Sequence, residues 1–181
     1  MATQGVPVGP FPPGADHDAY DRMRRRLLWK LPMGLYVLGS RSGDHRNLMT
    51  INWAMQVSMQ PKHVAVSIET AAVTHRLVSE GGCFSLSLLS REQRAEVRKF
   101  VKPAVEDAGA RTLSGVPYIE ALTGAPIPEI AIAWLDCEVR QRLGVGSHTL
   151  FVGEVVHAGF AEGGEDAAVL RMEDTRMSYG G

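Results

Sequence analysis

Between Leu35 and Phe160 six short runs rich in branched and aromatic residues follow one another, separated by glycine, proline and polar turns. They are Leu35 to Gly39, Met49 to Ser58, His63 to Ile68, Cys83 to Leu89, Trp134 to Val145 and Thr149 to Phe160. Runs of this length and composition read as strands, so the spacing predicts a mainly β core. Along Trp134 to Leu143, Leu135, Cys137, Val139, Gln141 and Leu143 alternate with Trp134, Asp136, Glu138, Arg140 and Arg142, which predicts one wet face. Thr149 to Phe160 is apolar on both sides and suits a strand inside a closed barrel or at a subunit contact.

Helical signals surround and interrupt these runs. Residues 1–15 hold Gly5, Pro7, Gly9, Pro10, Pro12, Pro13 and Gly14, a density that rules out helix and predicts an extended arm. Residues 16–181 then read as a single domain, with 45% hydrophobic and 22% charged residues in the 181-residue chain, ordinary values for a packed globule. Asp18 to Lys30 carries Met23, Leu27, Leu28 and Leu31 at helical spacing beside a basic face, and Pro32 stops it. Thr74 to Ser79 predicts a second helix closed by Gly81-Gly82, and Ser90-Arg91-Glu92-Gln93 has capping-box spacing for a third, with Val97, Phe100 and Val101 on one face. From Lys102 to Ile130 the chain reads as loop, long enough to serve as a lid or a subunit arm.

Several chemistries are excluded at this level. Nineteen basic against twenty acidic residues, a net charge of -1, give no broad positive field for nucleic acid or anionic lipid. Cys83 and Cys137 are too few for a disulfide scaffold and read as buried free thiols. No run approaches the ~18 apolar residues of a membrane span, and no leader pattern precedes the core, so the expected location is the cytoplasm. Gly144-Val145-Gly146 lacks the third glycine of a dinucleotide fingerprint, and no two of the six histidines stand at metal-ligand spacing, so no metal site is expected.

What remains is a scattered set of hydroxyls, amides and imidazoles at strand ends and a helix start: Asn47, Thr50, Asn52, Ser67, Thr74, His75 and His148. Each has a plainer reading alone. Thr74 can cap its helix, His75 can lie on the surface and Trp53 can belong to the core. The alternative is a shared ligand site. A strand of short polar residues offers backbone N–H groups to a ring's carbonyls, and a helix start offers free amides and positive potential to a phosphate. Arg41 and Arg46 would add charge-assisted bonds of ~1.5–3 kcal/mol each if they point inward.

In chain order these pieces resemble a known family. Gly34 to Leu38, Asn47 to Trp53, Val57 to Pro61 running into His63 to Ile68, Val73 to Val78, Gly82 to Leu89, Leu135 to Val139 and Gly146 to Val155 are similar to the flavin reductase-like proteins, the FMN-binding split β-barrels. The resemblance covers roughly two thirds of the chain. It implies a six-stranded Greek-key barrel with a few peripheral helices, dimerised, holding FMN or FAD beside the subunit contact. By the same resemblance Asn47, Met49, Thr50, Ile51, Asn52 and Trp53 would wrap the ribityl chain and ring edge. Ser67, Ile68 and Glu69 would flank the ring, Thr74 and His75 would face the phosphate, and His148 would stand near the nicotinamide or ring face.

Ser147 stands where the family often carries an aspartate, which removes a carboxylate that would orient the imidazole. Lys62 stands where a second proline is common. The implied activity is transfer of a hydride from NADH or NADPH to flavin and of electrons onward, with the flavin supplying the chemistry. Two rivals remain: an FMN-holding electron carrier reduced by a partner protein, and a small barrel that binds haem or another heterocycle.

Overall fold

The computed structural model describes residues 9–177. Residues 1–8, half of the proline-rich arm, lie outside them. The described arm residues fold back instead of extending: Phe11 stacks on His17 with ring centroids 4.0 Å apart, and the Arg24 guanidinium lies 5.0 Å over the Phe11 ring. Helix α1 (His17–Leu28) starts where Asp16 accepts the Ala19 amide at 3.0 Å, satisfying a donor that has no intrahelical partner. It is amphipathic as its pattern demands, yet it buries no residue.

Along the chain follow β1 (Tyr36–Ser42), β2 (His45–Ile51), β3 (Ala54–Met59), β4 (Lys62–Glu69), α2 (Val73–Gly81) and β5 (Cys83–Leu88). Two 3-10 turns, Arg91–Gln93 and Glu96–Phe100, precede four short strands: β6 (Glu106–Asp107), β7 (Thr112–Leu113), β8 (Val116–Glu120) and β9 (Pro126–Pro128). The long hairpin of β10 (Ala133–Val145) and β11 (His148–Phe160) completes the core. The main sheet is antiparallel, in the order β2-β1-β5-β10-β11-β4-β3, and β6 to β9 form a second, four-stranded sheet.

Four expectations need correction. The main sheet has seven strands, not six, because the run from Met49 to Ser58 breaks at Asn52-Trp53 and because His45 to Leu48 pair with β1 in a hairpin. The stretch from Lys102 to Ile130 is not bare loop, since it carries the second sheet. The capping box at Ser90 exists, with the Ser90 amide 2.8 Å from Gln93 Oε1, but it opens 3-10 turns, and Val101 is exposed while Val97 and Phe100 are buried. Asp136, expected on a wet face, is fully buried. Register shifts at Asp136/Cys137 and Val139/Gln141 interrupt the alternation of β10, and the carboxylate accepts the Thr123 amide at 2.9 Å and the Thr123 hydroxyl.

Period-two alternation gives the sheet a core on each face. Leu35 and Val37 belong to a cluster with Leu48, Phe100, Leu113 and Ile127, between the main sheet and the small one. Leu38 turns the other way, toward Ile51, Val66, Ile68, Val78, Phe84 and Phe151. Each such side chain, fully buried, contributes roughly 1.5–3 kcal/mol. The layers meet closely at Gly39, where any Cβ would run into the Pro126 carbonyl and the Ser85 hydroxyl. Ser85 Oγ donates to Pro126 O there at 2.6 Å. No helix among the described residues is long and apolar enough to cross a membrane.

Candidate functional site

A cavity of about 510 Å³ opens where β2, the end of β4 and the start of α2 come together. Asn47, Met49, Thr50, Ile51 and Asn52 line it from β2, and Ser67 and Glu69 from β4. Alternation along β4 excludes Ile68 from the cavity: its side chain is buried in the core between those two residues. Thr74 lines the cavity together with Ala71, Ala72 and Val73.

Much of the polar chemistry on the walls is committed to the protein itself. Asn47 is buried, donates Nδ2 to Thr74 Oγ1 at 2.7 Å and accepts the Ala104 amide on Oδ1 at 2.7 Å. It thereby ties strand, helix and the facing 100–104 segment into one frame. Thr50 donates its hydroxyl to the Val97 carbonyl, and Asn52 Nδ2 reaches Met33 Sδ at 3.4 Å. Among the residues that line the cavity, no hydrogen bond is described for the Ser67 hydroxyl or for the amides of Val73 and Thr74. Thr74 is not a cap, because α2 starts at Val73 after Ala72 with no side-chain cap bond. The two amides face the cavity end where a helix carries positive potential.

Besides Ile68, three expected residues do not line the cavity. Trp53 follows Asn52, and its ring centroid lies 4.8 Å from that of His148. His148 is the strand partner of Glu69, and Ser147 Oγ lies 2.9 Å from its Nδ1, so a hydroxyl fixes the imidazole where a carboxylate is absent. His75 turns its ring toward β11, with Nε2 2.8 Å from Thr149 Oγ1 and an edge contact to Phe151 at 5.4 Å. Arg41 and Arg46 do not point inward. Arg41 Nε donates to Thr123 O at 2.8 Å, and Arg46 pairs with Glu120 and, at 3.8 Å, with Glu106. That pairing, led by the Glu120 hydrogen bond, raises the Arg46 pKa. Both cysteines lie in the core, where burial pushes the Cys137 thiol up to about 12 and raises Cys83 as well.

The model of the flavin reductase like domain matches residues 27–179 of the chain. The chain belongs to the flavin reductase like family. Among curated members it is 32% identical over 151 residues to a ferric-chelate reductase (NAD(P)H) of Archaeoglobus fulgidus, covering 82% of this chain and 86% of that protein. It is also 32% identical over 114 residues to the NADH-dependent flavin reductase StyB of Pseudomonas fluorescens, covering 63% of each. A solved structure of the NADH:FAD oxidoreductase SgcE6 of Streptomyces globisporus C-1027, in complex with NAD and FAD fragments, superposes with a TM-score of 0.70 at 26% identity. That match covers 87% of this chain and 88% of the other.

For this family member the sequence reading missed the far wall: Phe100, Val101, Lys102 and Pro103 across from α2, with Leu35, Met172 and Met177 beside them. Lys102-Pro103 opens the segment singled out for its length, the one signal available. Met172 and Met177 lie beyond the last predicted strand and gave none. Lys102 and Glu69 are the charged residues of the lining.

Proposed function

We propose that the protein is an NAD(P)H-dependent flavin reductase that holds FMN in this cavity, with FAD as a possible substitute. The observation that carries the reading is the convergence of two unpartnered amides at the start of α2 with an unpartnered Ser67 hydroxyl in one cavity of about 510 Å³. The size falls within the roughly 300–1,000 Å³ of small-molecule sites, and the donors match a phosphate and a ring carbonyl. The flavin, when bound, accepts a hydride and delivers electrons onward.

The chain's own residues bind, orient and exclude water. Val73 and Thr74 offer main-chain donors to the phosphate, and Lys102 adds a cation from the opposite wall. Met49, Thr50, Ile51 and Asn52 form the floor along the ring edge and ribityl chain. Ser67 and Glu69 flank the ring. Leu35, Phe100 and Met172 supply apolar cover. His148, oriented by Ser147 and packed on Trp53, stands one strand away as the group nearest the nicotinamide side, and His75 braces β11 behind the phosphate end.

The same reading extends to the assembly. The cluster that joins Ile51 of β2 to Val64, Val66 and Ile68 of β4, at opposite halves of the strand order, supports a sheet curled into a Greek-key split barrel within one domain over residues 16–181. Met55, Val57 and Met59 lie exposed along the edge strand β3, Met59 by 82%, and support a homodimer. The working compartment in this reading is the cytoplasm.

Purified protein titrated with FMN and mixed anaerobically with NADH or NADPH tests the reading. Uptake of flavin followed by rapid bleaching of its visible band is the expected result. Flavin that binds but keeps its colour makes the protein an electron carrier, and a protein that takes up no flavin ends the proposal.

A further inference from the structure

The even charge balance of the chain conceals an uneven distribution. Residues 17–31 hold five basic and two acidic residues, a local charge of +3, so the rest of the chain, with 14 basic and 18 acidic residues, carries -4. The basic residues of this segment are ordered as well as concentrated. Arg22, Arg26 and Lys30 recur at every fourth position, and each directly precedes an apolar residue, Met23, Leu27 or Leu31, so two rows run side by side along one flank of α1. The winding continues past Leu28, since the Lys30 amide donates to Leu27 O at 2.9 Å and the Leu31 amide to Leu28 O at 3.2 Å. Both rows face solvent: α1 buries no residue, and Met23, Leu27, Leu28 and Leu31 are exposed, Leu27 by 60%. Arg24 and Arg25 pair with Asp21 at 2.7 and 3.2 Å, whereas no ion pair among the described residues engages Arg22, Arg26 or Lys30.

We propose that this side of α1 is a docking surface for an anionic lipid bilayer, on which the helix lies flat with Met23, Leu27, Leu28 and Leu31 turned to the acyl boundary and Arg22, Arg26 and Lys30 against the headgroup phosphates. A row of cations flanking an apolar row is the arrangement an interfacial helix requires, and long basic side chains reach the charged layer while their stems lie along apolar surface. Charge fixes the direction of approach: the surface that attracts α1 repels the -4 of the remaining chain, so the molecule lands on this helix. A partner protein would have to bring a groove shaped to a convex helix, whereas the boundary layer of a bilayer accepts any exposed amphipathic helix. No residue of 17–31 lines the flavin cavity, so docking here and flavin binding are independent.

Sedimentation of the full chain with sucrose-loaded vesicles tests the docking surface. With vesicles of phosphatidylcholine and phosphatidylglycerol in equal parts the protein should pellet at about 0.1 M NaCl, and with phosphatidylcholine alone it should stay in the supernatant. Raising NaCl to about 1 M, which shortens the screening length from ~10 Å to ~3 Å, should release it. Replacing both Arg22→Gln and Arg26→Gln should weaken binding roughly thirtyfold, and Leu27→Gln alone roughly tenfold. All three side chains are exposed, so the variants should unfold at the same midpoint as the unmodified protein. Equal sedimentation with both kinds of vesicle, sedimentation with neither, or binding to anionic vesicles that persists in the variants overturns the proposal. So does a mass in solution that doubles with protein concentration and stays single in Leu27→Gln, since a second copy then covers the face.

Discussion

The two α-helices among the described residues obey the same local rule and meet opposite fates. Both α1 and α2 are amphipathic, and α2 spends its apolar side on its own chain, burying Thr74, Leu77 and Val78 against β1 and β2. Helix α1 is longer, with 12 residues against 9, and buries none, leaving Leu27, Leu28 and Trp29 in solvent. A hydrophobic pattern thus specifies that a helix forms and which side is apolar; whether that side is covered within one chain depends on where the flanking segments lead. Helix α2 hangs between two strands of the main sheet, whereas α1 is attached at one end by residues 33–35.

The largest expected contrast is in stability. Leu77→Ala in α2 removes a fully buried side chain and should cost about 2–5 kcal/mol in urea unfolding. Leu27→Ala in α1 should stay within about 0.5 kcal/mol for the isolated subunit. Equal losses at the two positions would mean that α1 is docked in solution on a surface of its own chain. A midpoint for Leu27→Ala that depends on protein concentration where that of the unmodified protein does not would instead place α1 at the subunit contact.

A smaller effect is expected from Thr74→Val, which separates packing from binding on the better-buried helix. Valine keeps the shape but cannot accept the Asn47 Nδ2 hydrogen bond, so a buried amide loses its partner at a cost of ~1–3 kcal/mol. The Asn47 frame also positions the amides of Val73 and Thr74, so flavin affinity should fall with stability. Stability that drops with no change in a flavin titration would take this end of the cavity out of the site.

The contrast between the helices also shows where sequence reading stops. Strand runs, the α2 boundaries and the β2 floor of the cavity were legible, because alternation and turn residues are local signals. The break at Asn52-Trp53 was not, since strand-forming residues continue through it and only the path of the chain around the cavity interrupts pairing. Asn47, Thr50 and Asn52 were read as ligand contacts, yet their side chains hold Thr74, Val97 and Met33. A polar residue near a site carries the same letter whether it touches the ligand or the frame. Met172 was invisible as lining because non-local packing alone brings it to the cavity, and Lys102 was marked only by the length of the segment it opens.

The smallest effect expected concerns the attachment of α1 and depends on pH. Asp174 accepts the Arg171 amide at 2.9 Å and pairs with Arg91 at 3.0 Å, holding the Met172–Asp174 turn in place. These contacts, the backbone hydrogen bond first, lower its pKa below the ordinary 3.8. A depressed folded pKa means that the ionised carboxylate stabilises the fold above pH 3.8 and that this support is lost as pH falls through the lower folded value. The turn abuts the Met172–Met33 hydrogen bond that anchors residues 33–35, so acid should release α1 first. Amide protection factors, taken against the intrinsic exchange rate at each pH, are expected to fall between pH 5 and pH 3 across residues 17–35 before they do across 73–81, and Asp174→Asn should remove that early phase. Simultaneous loss of protection in both helices, or an early phase that persists in the variant, would show that α1 is held by something other than this turn.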